Sequence, residues 1–183
     1  MKKQFHNEEV IKREQARMQN RACRPHLYGK KITVPTRNGS MHAFIYNKEN
    51  LHPGYLIVEV HGGGFMYNTA ADDDDFCHFI HQTLGIPVIA CDYSLTPEHP
   101  FPIGLEDVYD CVLHALSMKE LKAQPDRIIL WGHSAGANLA AGTVYMAREN
   151  QQFTPCMQIL DYPYMDPYRS SAERRPIRNS VSG

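Results

Sequence analysis

Short apolar runs alternate with stretches of helical periodicity between residues 54 and 160. The apolar runs lie at residues 54–60, 86–91, 127–131 and 157–160 and are nearly continuous, which is typical of strands buried on both faces of a parallel sheet. The stretches between them, near residues 72–84, 103–118 and 135–149, place apolar residues at helical spacing. This alternation predicts an α/β fold with a mostly parallel sheet and flanking helices.

A hairpin is predicted ahead of this unit, with strands at residues 31–35 and 41–46. Asn38 and Gly39 between them form a strong signal for a tight turn, so we expect this leading pair to be antiparallel. Residues 1–28 are polar and only thinly apolar, and Asn7 is a candidate cap for a helix that ends near Asn20. We therefore expect a cap-like helical segment at residues 1–28 and a core at residues 29–183.

Two of the predicted helices have an assigned buried face. In the helix after the acidic run 72–75, with Gly85 as its stop, the apolar positions are Phe76, Phe79, Ile80 and Leu84. In the helix near residues 103–118 they are Leu105, Val108, Val112 and Leu116. We expect both sets to pack against the sheet.

The strongest chemical signal is the sequence Gly-His-Ser-Ala-Gly at residues 132–136, between an apolar strand and a helix of small residues. A Ser between glycines at a strand-to-helix turn is typical of the nucleophile elbow of G-x-S-x-G hydrolases. The turn holds the Ser134 hydroxyl out above the sheet edge, and the helix directs its N-terminal amides, including that of Ala135, at the same spot. Ser134 is therefore the candidate nucleophile.

Three consecutive glycines, Gly62 to Gly64, follow the strand at residues 54–60. Because glycine has no side chain, the backbone amides of this run are not screened. The amides of Gly63, Gly64 and Ala135 are the candidate donors of an oxyanion hole, and each such donor stabilises a transition state by about 3–4 kcal/mol. The alternative is that the glycine run is only a flexible turn, which its position beside an elbow makes less attractive.

The composition narrows the classes of partner, location and cofactor that we expect for this chain. A net charge of -1 gives no reason to expect nucleic acid as a partner, and no apolar run approaches membrane-spanning length. Five scattered cysteines without C-x-x-C spacing favour reduced, mostly buried thiols, so we expect a cytoplasmic protein. We interpret the acidic residues 72–75 as a helix cap and a solvated face rather than a metal site, and we expect no metal and no cofactor.

Three motifs in this order, residues 61–65 (His-Gly-Gly-Gly-Phe), residues 93–102 (Tyr-Ser-Leu-Thr-Pro-Glu-His-Pro-Phe-Pro) and the elbow, give the chain a family resemblance. It resembles the hormone-sensitive-lipase-like branch of the α/β-hydrolases, which contains bacterial carboxylesterases and acetyl esterases. The resemblance covers about residues 25–168 and implies a structural role for Glu98 in a loop beside the active site. His133 and Ala137 depart from it, standing where the family usually has Asp and Gly.

The base that would activate Ser134 is missing from the sequence after it. In this fold the triad order is Ser, then Asp or Glu, then His, and none of the 49 residues after Ser134 is a histidine. Asp161 and Asp166 come one strand too early for the triad acid that the family implies. We expect at least about 60 residues to be absent, through truncation, a frameshift, removal or supply as another chain. A further alternative is an upstream histidine such as His99.

Two functions follow as hypotheses. The leading one is a serine carboxylesterase of short-chain acyl esters that acts through an acyl-enzyme at Ser134 and is weak or inactive as this chain alone. The alternative is a non-catalytic protein that binds a small ligand on the same fold; the plant gibberellin receptors resemble this family and lack the catalytic histidine. Because the strand around Ile159 would be an exposed apolar edge, we also expect homo-oligomers or poor solubility.

Overall fold

The computed structural model describes residues 27–48 and 50–165. Six strands and three α-helices follow one another in the order β1 (Lys30–Thr36), β2 (Gly39–Tyr46), β3 (Leu56–Val60), α1 (Asp74–Leu84), β4 (Val88–Asp92), α2 (Ile103–Ser117), β5 (Ile128–His133), α3 (Ala135–Asn150) and β6 (Met157–Asp161). A 3₁₀ turn, Ala70–Asp73, leads into α1. The helix predicted before residue 20 lies outside the described residues, and so does Asp166.

The strands form one sheet in the order β1-β2-β4-β3-β5-β6. β1 and β2 pair antiparallel across the Asn38-Gly39 turn, and β2 pairs antiparallel with β4. The other neighbours, β4 with β3, β3 with β5 and β5 with β6, are parallel. The predicted α/β fold and its leading antiparallel hairpin are therefore confirmed.

Helices cover both faces of the sheet. On one face α2 and α3 pack over a core that contains Val58, Leu130 and Val108. On the other face α1 covers a smaller cluster that includes Ile57, Cys77 and Ile129. Every residue of β3 is buried, as the continuous apolar run predicted for a central parallel strand. The carboxyl ends of β3 and β5 are thereby held side by side, and the residues that follow them meet at one edge of the sheet.

The predicted buried face of α1 is partly wrong. Phe79 is 62% exposed and Leu84 is also exposed, whereas Cys77, His81 and Asp74 are buried. Asp74 is also not part of a solvated face, because its carboxylate accepts hydrogen bonds from the amides of Tyr28 and Gly29 and from the hydroxyl of Tyr46. A polar residue that finds three donors can be buried, and the periodicity of apolar residues does not show this.

The end of α1 and the stripe of α2 agree with their predictions. Gly85 ends α1 in a left-handed conformation with φ 61°, and its amide donates to the carbonyl of His81. Val108 and Val112 of α2 are fully buried, and Leu105 and Leu116 pack beside them.

Cys77, Cys91 and Cys111 are buried free thiols and Cys156 is exposed, while Cys23 lies outside the described residues. No helix among residues 27–48 and 50–165 has the length and apolarity needed to span a bilayer.

Candidate active site

Ser134 lies at the sharp turn between β5 and α3 and has a strained backbone. Its φ of 51° and ψ of -111° lie in a region that a non-glycine residue rarely occupies. The surroundings fix this conformation, since its amide donates to the Asp161 carbonyl at 2.9 Å and its carbonyl accepts from the amide of Asn138 at 3.3 Å. The predicted elbow geometry is therefore present, and Ser134 is partly exposed at the carboxyl edge of the sheet.

Gly136 lets α3 start directly against β3. A Cβ at this position would lie 2.0 Å from the carbonyl oxygen of Val60, which is backbone and cannot rotate away. Gly132 is equally close to the elbow, because a Cβ there would lie 2.4 Å from the carbonyl oxygen of Gly136. The two glycines of the motif are required by the close approach of three backbone segments.

The glycine loop after β3 lies against the elbow. A Cβ at Gly62 would be 3.5 Å from the Cβ of Ser134, so the two segments are in near contact. Gly63 has a φ of 129°, a conformation that side chains disfavour, and its carbonyl accepts from the amides of Met66 and Tyr67. The loop thus turns back on itself beside Ser134.

The candidate oxyanion donors are not equally enclosed. Gly63 and Ser134 line one cavity, Ala135 is the first residue of α3, and Gly64 is exposed. Among the described residues, the amides of Gly63, Gly64 and Ala135 donate no backbone hydrogen bond outside regular elements. The amide of Ala135 also has no partner within α3, because the first amides of a helix never do. The three amides therefore stay the candidate donors.

Two stacked aromatic side chains, His61 and Tyr93, support the glycine loop where it leaves β3. His61 is buried and stacks on Tyr93 with ring centroids 4.2 Å apart, and the Tyr93 hydroxyl donates to the His61 carbonyl at 3.0 Å. Nδ1 of His61 lies 2.7 Å from the Gly62 carbonyl oxygen, so this nitrogen carries the proton and donates to it. Burial lowers the pKa of His61, which keeps the ring neutral.

The motif at residues 93–102 also holds the glycine loop, though not through the residue that the resemblance singled out. The amide and hydroxyl of Thr96 both donate to the carbonyl of Phe65, at 2.8 Å and 3.2 Å. Glu98 itself is exposed. Among the described residues of this motif, Tyr93 and Thr96 therefore hold the glycine loop by hydrogen bonds.

Sequence reasoning missed a chain of polar side chains under the elbow. His133 Nδ1 donates to the Asp161 carboxylate at 3.1 Å, and its Nε2 lies 4.0 Å from Oε1 of the buried Glu59. Glu59 is hydrogen-bonded to Asp73, and burial, followed by the negative charge of Asp73, holds the pKa of Glu59 well above its usual range. The three strands β3, β5 and β6 are thereby joined side by side at their carboxyl ends. The sequence signal that could have indicated this chain of polar side chains was Glu59, the single charged residue within the apolar run of β3.

Two cavities flank the glycine loop. The nucleophile cavity, about 290 Å³, contains Ser134 and is lined by Gly62, Gly63, Asn68, Asp73, Phe76, His133, Ser134 and Tyr162. The apolar cleft, about 400 Å³, is lined by Phe65, Tyr93, Ser94, Thr96, His99, Phe101, Gly104, Leu105, Asn138, Leu139 and Tyr164. His99 lines the cleft and not the cavity of Ser134, so the structure does not bring these two residues together.

A family profile described as alpha/beta hydrolase fold matches residues 57–182, more than half of the chain. The chain belongs to the α/β-hydrolase family. This hydrolase is similar to the carboxylic ester hydrolase LipN of Mycobacterium tuberculosis, with 33% identity over 141 residues that cover 74% of the chain and 38% of LipN. It is also similar to the hormone-sensitive lipase of Mus musculus, with 40% identity over 85 residues that cover 46% of the chain and 11% of the lipase.

Solved structures agree with these relatives. The esterase of the archaeon Pyrobaculum calidifontis matches this hydrolase with a TM-score of 0.71 and 32% identity, covering 85% of the chain and 51% of the esterase. The hydrolase thus spans about half or less of the length of these proteins. Its lineage is that of the hormone-sensitive-lipase-like carboxylesterases, which confirms the family and enzyme class predicted from the motifs.

Proposed function

We propose that this chain is part of an enzyme that cleaves short-chain carboxylic esters through an acyl-enzyme at Ser134. The observation that carries the proposal is the strained Ser134 at the β5–α3 turn, facing a cavity that it shares with Gly63. Strained backbone that its surroundings maintain is concentrated at active sites. The relatives named as carboxylic ester hydrolase, lipase and esterase support the same reaction class.

The reaction would run in two steps. Ser134 Oγ bonds to the ester carbonyl carbon as its proton passes to a base, and the oxyanion is held by the amides of Gly63, Gly64 and Ala135. The tetrahedral intermediate collapses, the C–O bond to the alcohol breaks and the alcohol leaves with the proton. Water then attacks the acyl-enzyme in the same way, which releases the acid and restores Ser134.

The base and its orienting acid would come from residues outside these 183. No histidine follows Ser134, and His133, the nearest in sequence, directs its Nδ1 to Asp161 and its Nε2 toward Glu59. Without a base the hydroxyl is a poor nucleophile, so this chain alone should hydrolyse esters weakly or not at all. An oxyanion hole by itself still leaves a residual rate above that of water.

Labelling with a fluorophosphonate tests the proposal. We expect the reagent to modify Ser134, slowly in the 183-residue chain and faster in a longer chain that carries a downstream Asp and His. Mass spectrometry locates the label, Ser134→Ala should remove it, and Ser117→Ala, which changes a serine at the end of α2, should not. The absence of any label on Ser134 in the longer chain would overturn the proposal. Ligand binding without turnover would then favour the non-catalytic alternative.

A further inference from the structure

The wall of the nucleophile cavity combines acidic and aromatic side chains. Asp73, Phe76, His133 and Tyr162 surround the opening beside Ser134, and none of the described lining residues is a Lys or Arg. Phe76 contacts His133 at a ring-centroid distance of 5.0 Å and Trp131 at 5.1 Å, both edge to face. The wall of the apolar cleft is different, since most of it is formed by apolar side chains such as Phe65, Phe101, Leu105 and Leu139.

The carboxylate of Asp73 is available to the cavity. Asp73 occupies the N-cap position of α1, yet its side chain makes no capping hydrogen bond. It is hydrogen-bonded instead to Glu59, which is fully buried and whose raised pKa keeps it protonated. Glu59 therefore lies behind Asp73, and Asp73 itself lines the cavity. Oε1 of Glu59 has no hydrogen-bond partner in the described part of the chain.

A second carboxylate, Asp161 of β6, lies behind the cavity wall. Asp161 accepts from Nδ1 of His133 at 3.1 Å and precedes Tyr162 in the chain. Partial desolvation, and then the charge of Asp161, raise the pKa of Tyr162. Asp73 is therefore the carboxylate of the cavity wall, and Asp161 acts only from behind His133. A cation inside the cavity would meet the carboxylate of Asp73 and the rings of Phe76 and Tyr162.

We propose that the nucleophile cavity binds the positively charged amine of an ester substrate, such as a quaternary or protonated amino alcohol. Aromatic rings and carboxylates together favour ammonium groups. A volume of about 290 Å³ suits a compact trimethylammonium-sized group better than a long acyl chain. The proposal rests on the proposed function for the ester part, while the recognition of the cation stands on the cavity wall alone.

Paired probes test the preference through the reactivity of Ser134. One methylphosphonothiolate carries thiocholine as its leaving group, and the other carries the uncharged isostere 3,3-dimethylbutanethiol. Ser134 Oγ bonds to phosphorus and the thiol leaves with the serine proton, so the released thiol reports the rate. After division by each probe's rate with hydroxide, we expect the charged probe to react about tenfold faster, a difference of about 1.4 kcal/mol.

Matched variants assign the preference to the cavity. Asp73→Asn should bring the ratio of the two rates close to one. Asp75→Asn removes the same charge from an exposed position of the same turn, outside the cavity lining, and should retain the preference. If Asp73→Asn does not fold, the wild-type preference should still fall as salt rises, because screening weakens attraction between charges.

Binding to Ser134→Ala separates this proposal from the proposed function. The single tryptophan, Trp131, contacts Phe76 of the cavity wall, so its fluorescence reports occupancy. Choline should bind about tenfold more tightly than 3,3-dimethylbutanol. Choline-selective binding, with no phosphonylation of Ser134 in the longer chain that carries a downstream Asp and His, would support the cation site and overturn the ester chemistry. Equal reaction with both probes would overturn the cation site and leave the ester chemistry intact. Equal binding, again with no reaction in the longer chain, would overturn both.

Discussion

Gly136 is the residue whose side chain the elbow tolerates least. An added Cβ would lie 2.0 Å from the Val60 carbonyl oxygen and 2.4 Å from that of His61, so either β3 or α3 has to move. We expect Gly136→Ala to lower the free energy of unfolding by about 3 kcal/mol, at the upper end of overpacking effects. Urea denaturation measures the loss.

The control for Gly136→Ala lies in the same helix. At Gly142 an added Cβ would meet the Leu105 Cδ1 at 2.8 Å, which is the far end of a flexible side chain. An alanine there also gains up to about 1 kcal/mol of helix propensity. Gly142→Ala should therefore be neutral or mildly stabilising. Equal stabilities of the two variants would contradict the close approach of α3 to β3.

Glu59 should make the stability of the fold depend on pH. Its pKa in the unfolded chain is near the ordinary 4.5, and burial raises the folded value well above that. A raised folded pKa means that the stabilising contribution is complete below pH 4.5 and is lost as the pH rises, at about 1.4 kcal/mol per unit. Glu59→Gln imitates the protonated form, so it should be more stable than wild type at pH 8.

The pH profile distinguishes this effect from ordinary repacking. The advantage of Glu59→Gln in urea denaturation should shrink as the pH is lowered and vanish below about pH 4.5. Glu120→Gln removes an exposed carboxyl and should show no such trend. An advantage that is the same at every pH would mean that Glu59 is not held protonated in the fold.

At the residue scale, sequence predicted the backbone of the candidate nucleophile better than its surroundings. The sharp turns at Ser134 and Gly63 could be predicted because short motifs next to a strand encode them locally. Asp73 could not be assigned to a cavity, because its position depends on contacts with other elements, such as that with Glu59 of β3. The exposure of Gly64 likewise depends on how the loop folds back on Gly63.

At the scale of elements, the alternation of apolar runs and helical stretches predicted every described strand and α-helix to within a few residues. Strands of a parallel sheet are buried on both faces, so their sequences are continuous apolar runs that are hard to mistake. The orientation of α1 was harder to predict. Its buried face includes His81, whose Nδ1 contacts the Ile86 carbonyl, and Asp74, whose carboxylate accepts three hydrogen bonds. Phe79 faces solvent instead.

At the scale of the whole molecule, the candidate site lies at one end of three adjacent parallel strands. β3 leads into the glycine loop, β5 leads into the elbow and β6 supplies Asp161, whose carbonyl and carboxylate hold Ser134 and His133. Ligand sites of open α/β sheets lie outside the carboxyl ends of their strands. The position of the site could therefore be predicted from topology, whereas the charge of its wall depended on side chains that separate elements bring together.

The edge of the sheet at β6 supports our last prediction, self-association. Within the described residues β6 pairs only with β5, and Met157 on it is 53% exposed. A flat, partly apolar edge offers backbone groups to a second copy, and a charged side chain on such an edge opposes pairing. We expect the wild-type chain to form dimers or larger species as concentration rises in sedimentation velocity, and Met157→Lys to shift them toward monomer. Tyr145→Lys, which adds the same charge at an exposed position of α3, should leave association unchanged. A wild-type chain that stays monomeric across the concentration series would contradict association through β6.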